Sequence, residues 1–148
     1  MLTIDVYHQQ FTEAFAALQA RLIDPSPALH EIGYTLENVA RGRFESQSDP
    51  LGHPWAPWKP STVQSYPKDG HRRVLERYGD MLGLLNYQAD PSNSSVLVGF
   101  GVEYATYHEW GTKHMERRGM LTANPDTGEL APEDTAMVME ILHRHLFT

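Results

Sequence analysis

Leu2, Ile4 and Val6 alternate with polar residues, which is the period of a short strand. From about Gln9 the spacing changes. Phe11, Ala14, Phe15, Leu18 and Leu22 recur at helical intervals and predict one apolar stripe ending near Leu22. Asp24-Pro25-Ser26-Pro27 stops that helix and starts another. Asp24 or Ser26 supplies a cap, and a proline in the first turn gives up an N–H that has no helical partner there. The second helix sets Leu29, Ile32, Leu36, Val39 and Ala40 on one side and runs toward Phe44. So short a break makes the two a helical hairpin or an L-shaped pair.

Between Glu45 and Gly70 six prolines and glycines lie among Trp55, Trp58 and Tyr66 (Pro50, Gly52, Pro54, Pro57, Pro60, Pro67). The prolines exclude helix over most of the stretch. Two tryptophans predict an ordered loop docked on a core rather than a linker. Ser61–Gln64 fits one helical turn after Pro60, and Gly79–Leu85 a short helix or turn. Tyr87–Ala89 and Ser95–Phe100 flank Asp90-Pro91-Ser92-Asn93, a cluster with strong turn chemistry, and predict a hairpin. Tyr104, Ala105, His108 and Glu109 fit a short helix ended by Gly111. Met115–Leu121 is expected as a strand, and Asn124–Gly128 as a turn. Pro132 opens the last helix, with Glu133 and Asp134 suiting its positive end and Val138, Ile141, Leu142 and Leu146 as its buried stripe. The fold class is α+β: an N-terminal helical pair, a central antiparallel hairpin or small sheet, and a short helix and C-terminal helix packed on it.

The 148 residues form one expected domain, 1–148, without internal repeats. A compact monomer of 16.8 kDa exposes about 7,700 Å² against roughly 24,000 Å² for its extended chain, enough burial to fold without a staple. With no cysteine, disulfides, thiolate nucleophiles and cysteine-based zinc sites are excluded, and a reducing cytoplasm fits. The net charge of −7 argues against a protein that coats DNA or RNA. That charge is uneven: residues 1–40 carry 1 basic and 5 acidic groups, 41–90 carry 7 and 6, and 91–148 carry 4 and 8. Neither a signal peptide nor a membrane span is expected, since the N-terminus lacks a basic region and no apolar run approaches the required ~20 residues.

Candidate chemistry is sparse. His108-Glu109-Trp110-Gly111-Thr112-Lys113-His114 is the densest ionisable cluster, and a small His- or metal-dependent hydrolase using His108, Glu109 and His114 is the rival reading. A metal pair on one helix needs histidines four apart, whereas these are six apart with a glycine between. His143-Arg144-His145 fits a solvated helix end. No nucleophile elbow or phosphate-cradling glycine loop is present. His71-Arg72-Arg73 offers a short basic run for nucleic acid, weak in an acidic chain.

The order of motifs says more. Arg43-Phe44-Glu45 is followed by Asp49-Pro50-Leu51-Gly52-His53-Pro54-Trp55-Ala56-Pro57 and Ser61-Thr62. Then come Val74–Leu82 with Gly79 and Leu82, Val96-Leu97-Val98-Gly99, and Tyr104-Ala105-Thr106-Tyr107-His108-Glu109-Trp110-Gly111. This series resembles the phage virion morphogenesis family, the group of Mu-like protein G and tail-completion protein S, over about residues 35 to 148. Where that family has IPARxFLG, Met115–Leu121 keeps the arginine as Arg118 and the leucine as Leu121 but lacks the proline and final glycine. Tyr78 replaces the threonine of a Thr-Gly pair.

The resemblance implies a non-enzymatic structural protein of late tail assembly, without cofactor, made in the host cytoplasm and retained in the tail or neck of the virion. It implies a homo-oligomeric ring, hexameric to match the tail, that caps the tail tube and meets tail terminator and head connector proteins. The motif residues Asp49, Pro50, Gly52, Trp55, Gly79, Leu82, Tyr104, Ala105, His108, Gly111, Arg118 and Leu121 are then structural or interface groups. Asp49 is expected to fix a turn that seats Trp55. Tyr104, Ala105 and His108 are expected on one helical face, and Arg118 against a carboxylate. Arg72, Arg73, Arg77, Arg117 and Arg118 would oppose the acidic ends of a neighbour, and the loops at about 45–70 and 113–130 would be flexible until assembly.

Overall fold

The computed structural model describes residues 9–70 and 72–148. The strand expected over Leu2–Val6 lies outside them, as does His71 of the basic run. Two N-terminal helices follow the sequence pattern, α1 (Gln9–Ile23) and α2 (Ser26–Ser46). The Asp24 carboxylate accepts the Ser26 N–H at the break between them. On α2 the predicted side is buried, from Ala28, Leu29 and Ile32 to Ala40 and Phe44. On α1 the stripe is not: Leu18 is half-buried, and Leu22 and Ile23 are 61% and 74% exposed.

The hairpin pairs β1 (Leu85–Asp90) with β2 (Ser95–Phe100), in a register running from Leu85 opposite Phe100 to Asp90 opposite Ser95. Ser92 Oγ and Asn93 Nδ2 both donate to the Asp90 carboxylate at 2.6 Å, closing the turn and holding that carboxyl below its ordinary value. The hairpin lies on α2, with the Tyr87 ring against Gly33. A Cβ there would sit 2.3 Å from Tyr87 Cδ2, so only glycine lets the strand approach. The last helix, α6 (Pro132–Phe147), packs on α2 beside the hairpin, where Ile141 joins Ala28 and Ile32 and Val96 of β2 packs against them. Its end also holds α1: Arg21 donates to the carbonyls of Leu146 and Thr148, and the His145 ring meets Arg21 O. His145 is therefore a tertiary contact rather than part of a solvated turn.

Three short helices shape a second core: α3 (Pro60–Ser65), α4 (Asp80–Gly83) and α5 (Ala105–Trp110). Phe44, from the end of α2, centres it with Trp55, Leu75, Met81, Ala105 and Met120. The Trp55 ring stands edge-on to Phe44, 5.2 Å between centroids, a favoured aromatic geometry.

Two expectations are corrected here. Met115–Leu121 is not a strand: only Met115 makes a bridge, to Thr112, and the rest is irregular. Nor is Asp134 merely a first-turn charge. It is buried against Arg43, and the other arm of that guanidinium donates to Met120 O at 2.7 Å. Removing one partner of a buried pair leaves the other charge unsolvated. Asp134→Ala should therefore destabilise the fold by about 3–5 kcal/mol. Glu31→Ala, which breaks the exposed Arg144–Glu31 pair, should cost about 1 kcal/mol or less. Urea unfolding compares the two, and equal losses would refute the assignment.

Candidate functional site

The motif residues converge on two irregular segments and the cleft beside them. The first segment starts at the Asp49 turn. The Asp49 side chain accepts the N–H groups of Leu51 and His53, both at 2.9 Å, while Gly52, at φ +87°, takes the left-handed corner after Pro50. Trp55 N–H then donates to Gln47 O, which brings the indole over Phe44 and lets its Nε1 donate to Gly119 O at 2.8 Å. The turn does seat Trp55.

The second segment hangs from α5. Gly111 ends that helix at φ +75°, and a Cβ there would lie 2.8 Å from Arg117 N, so glycine is required twice over. The chain doubles back through a Thr112–Met115 bridge, and Arg118 N–H donates to His108 O at 2.8 Å. The buried Glu109 carboxylate then gathers the backbone ahead of it. Oε2 accepts Met120 N–H at 2.6 Å and Leu121 N–H at 3.2 Å, and Oε1 accepts Thr122 N–H at 2.9 Å and Thr122 Oγ–H at 2.6 Å. Arg117 donates to Glu109 O and Thr122 O, its charge 3.6 Å from the carboxylate. Side chains thus replace the missing strand partner, satisfying backbone groups that burial would otherwise strand.

Arg118 does not meet a carboxylate. It is buried and donates to the carbonyls of Ala56 and Pro57, tying the two segments together. Ala105 departs from the expected shared face: it enters the core, while Tyr104 and His108 turn to the cleft. Gly79 leads into α4, from which the half-buried Leu82 packs on the core, as does Leu121 from the second segment.

The cleft, about 1150 Å³, lies between these segments and α3, α4 and α5. Trp58, Tyr66 and Arg77 line it and stack in series with Arg72, which lies outside its lining. Trp58 and Tyr66 rings are 4.2 Å apart, with the Arg72 guanidinium 6.0 Å from Trp58 and that of Arg77 5.7 Å from Tyr66. Burial pushes the Tyr66 phenol up, opposed by the Trp58 indole and the charges of Arg77 and Arg118. His108 also lines the cleft, with no hydrogen-bond partner for its buried Nδ1. Burial, and secondarily the Arg118 charge, holds its pKa below the ordinary value. His114 also lines the cleft, but Glu109 faces the second segment, so the three groups of the hydrolase reading do not converge. Among the described residues no three His, Asp or Glu side chains group closely enough to hold a metal ion.

Two predictions arise from this geometry. Between the ordinary histidine value of about 6.5 and the lower folded value of His108, the unfolded chain holds a proton that the folded chain does not. Stability therefore falls as pH falls through that window, and His108→Asn should flatten the decline in urea midpoint from about pH 7 to about pH 5. An unchanged slope would show that His108 titrates as a free imidazole. Glu109→Gln should cost about 2–3 kcal/mol and speed hydrogen exchange at the amides of Met120, Leu121 and Thr122. Unaltered exchange there would show that the carboxylate does not hold the segment.

No helix among the described residues is long and apolar enough to cross a membrane. No curated protein and no solved structure matches the chain. The model of the phage virion morphogenesis family matches residues 6–147, which takes in both segments, the cleft and every motif residue placed above. The chain belongs to the phage virion morphogenesis family.

Proposed function

We infer that this protein completes the phage tail: a homo-oligomeric ring, hexameric to match the tail, that closes the end of the tube and offers its outer face to the head connector. It acts without catalysis or a cofactor, is made in the host cytoplasm and stays in the neck of the virion. The observation that carries this reading is the family match together with what its motif residues do in the fold. Asp49, Trp55, Gly111 and Arg118 fix irregular segments into a rigid outer surface.

Large side chains left exposed support a subunit with neighbours: Tyr78, Tyr104, Tyr107, Trp110 and Leu97 are all open to solvent. The basic patch expected from five arginines is smaller. Arg73, Arg117 and Arg118 are held within the chain, which leaves Arg72 and Arg77 exposed.

Deleting the gene from the phage or prophage that carries it should leave filled heads and finished tails unjoined in electron micrographs, with joining restored by supplying the protein in trans. Normal virions from the deletion strain would overturn the reading, and filled heads with normal tails but blocked lysis would favour the hydrolase instead.

A further inference from the structure

The cleft has the charge and size of a receptor, and another part of the chain has the shape of its ligand. Its volume exceeds the roughly 300–1,000 Å³ of small-molecule pockets, which suits a loop of polypeptide better than a metabolite. Its cations are anchored but not neutralised. Lys59 donates to His114 O, Arg77 to Ser65 O and Arg118 to Ala56 O. Among the described residues none of the three has a carboxylate within ion-pair distance. Asp80 and Glu116 also line the cleft and offset part of this charge. The cleft therefore holds anchored cationic donors, Lys59, Arg77 and Arg118.

The complementary element is the turn from Asn124 to Glu129. It is closed by a bridge between its end residues and stiffened from within: Gly128 N–H donates to Asn124 O at 2.9 Å, and Asp126 N–H to Asn124 Oδ1 at 3.0 Å. Its tip, residues 126–129, is exposed. Trp110 Nε1 engages one oxygen of Asp126 and leaves the other open, and no cation pairs with Glu129 or nearby Glu133 among the described residues. A preformed loop loses little freedom on docking. None of its residues lines the cleft of its own chain, so receptor and ligand are different patches, as a head-to-tail contact requires.

We propose that the Asn124–Glu129 turn of one copy docks in the cleft of the next, setting Asp126 and Glu129 against Lys59 and Arg77. This rests on the homo-oligomeric reading above and names the contact that would build the ring.

Charge exchange tests it by sedimentation velocity in low salt. Arg77→Glu alone and Glu129→Lys alone should each weaken assembly at least tenfold. An equal mixture of the two variants should reassemble, since each then offers the charge its neighbour lacks, and the double variant should assemble by itself. Lys59→Glu replaces Arg77→Glu if the latter loses its circular dichroism signal. Because the chain has no cysteine, Ser61→Cys with Thr127→Cys adds an independent readout, a ladder of disulfide-linked copies on a non-reducing gel.

An oligomeric wild type that ignores both charge changes and gives no ladder would overturn this contact while leaving the ring intact. A wild type that stays monomeric at every concentration would overturn the ring and the contact together. Cross-linking of the Thr127→Cys variant to a different tail protein instead of to another copy would assign the turn to that partner and equally refute the proposal.

Discussion

The backbone of one residue, Met120, holds the two halves of this fold in place. The N–H of Met120 is taken by the Glu109 carboxylate and its C=O by the Arg43 guanidinium. Two buried ions of opposite sign thus grip a single stretch of backbone from opposite sides, one reaching from α5 and one from α2. Asp134 compensates the Arg43 charge from α6, and Arg117 approaches the Glu109 carboxylate. Buried charges are tolerable only when each finds such partners, and here the partners lie on four separate elements. That is why the arrangement joins the helical layer of α2 and α6 to the core around Phe44. Without it, Met120 would have neither its burial nor a route for its polar backbone.

The same grip accounts for the outer face. With Met120 fixed, Gly119 O meets the Trp55 indole and Arg118 reaches the carbonyls of Ala56 and Pro57. Two irregular segments, one proline-rich and one opened by Gly111, are thereby held at the cleft. Irregular backbone of this kind carries function when a rigid support positions it, and here the support is a set of side-chain bonds rather than a ladder. Tyr104, at the start of α5, and His108, one turn on, point into the cleft, while Glu109 turns inward.

Much of the fold was legible in the chain. The breaks at Pro25 and Pro132, the helical spacing of Leu29 through Phe44, and the turn chemistry of Asp90–Asn93 are local signals, and each marks an element where expected. The α1 stripe was legible as a helix but not as a surface, because period alone does not tell which partner covers an apolar side. Met115–Leu121 was misread for a related reason. The donors and acceptors that satisfy it come from Glu109, Arg43 and Trp55, side chains outside the segment, rather than from a neighbouring strand. Glu109 drew attention as a neighbour of His108, although its role depends on residues 120–122. Asp134 looked like an ordinary helix-start charge because nothing local announces Arg43. The Trp58–Tyr66 stack between two arginines had no periodicity to reveal it. Such features are set by tertiary proximity, which composition and spacing do not encode.

The exposed Arg144–Glu31 pair and the buried Arg43–Asp134 pair answer differently to the surrounding medium. Mobile ions reach the first and screen it, whereas they do not enter the space around the second. A particle part that passes from a crowded cell into dilute or briny water meets large swings in ionic strength. A fold whose two halves are fastened by enclosed charges keeps its shape through such swings, while contacts made at its rim loosen or tighten with the salt outside.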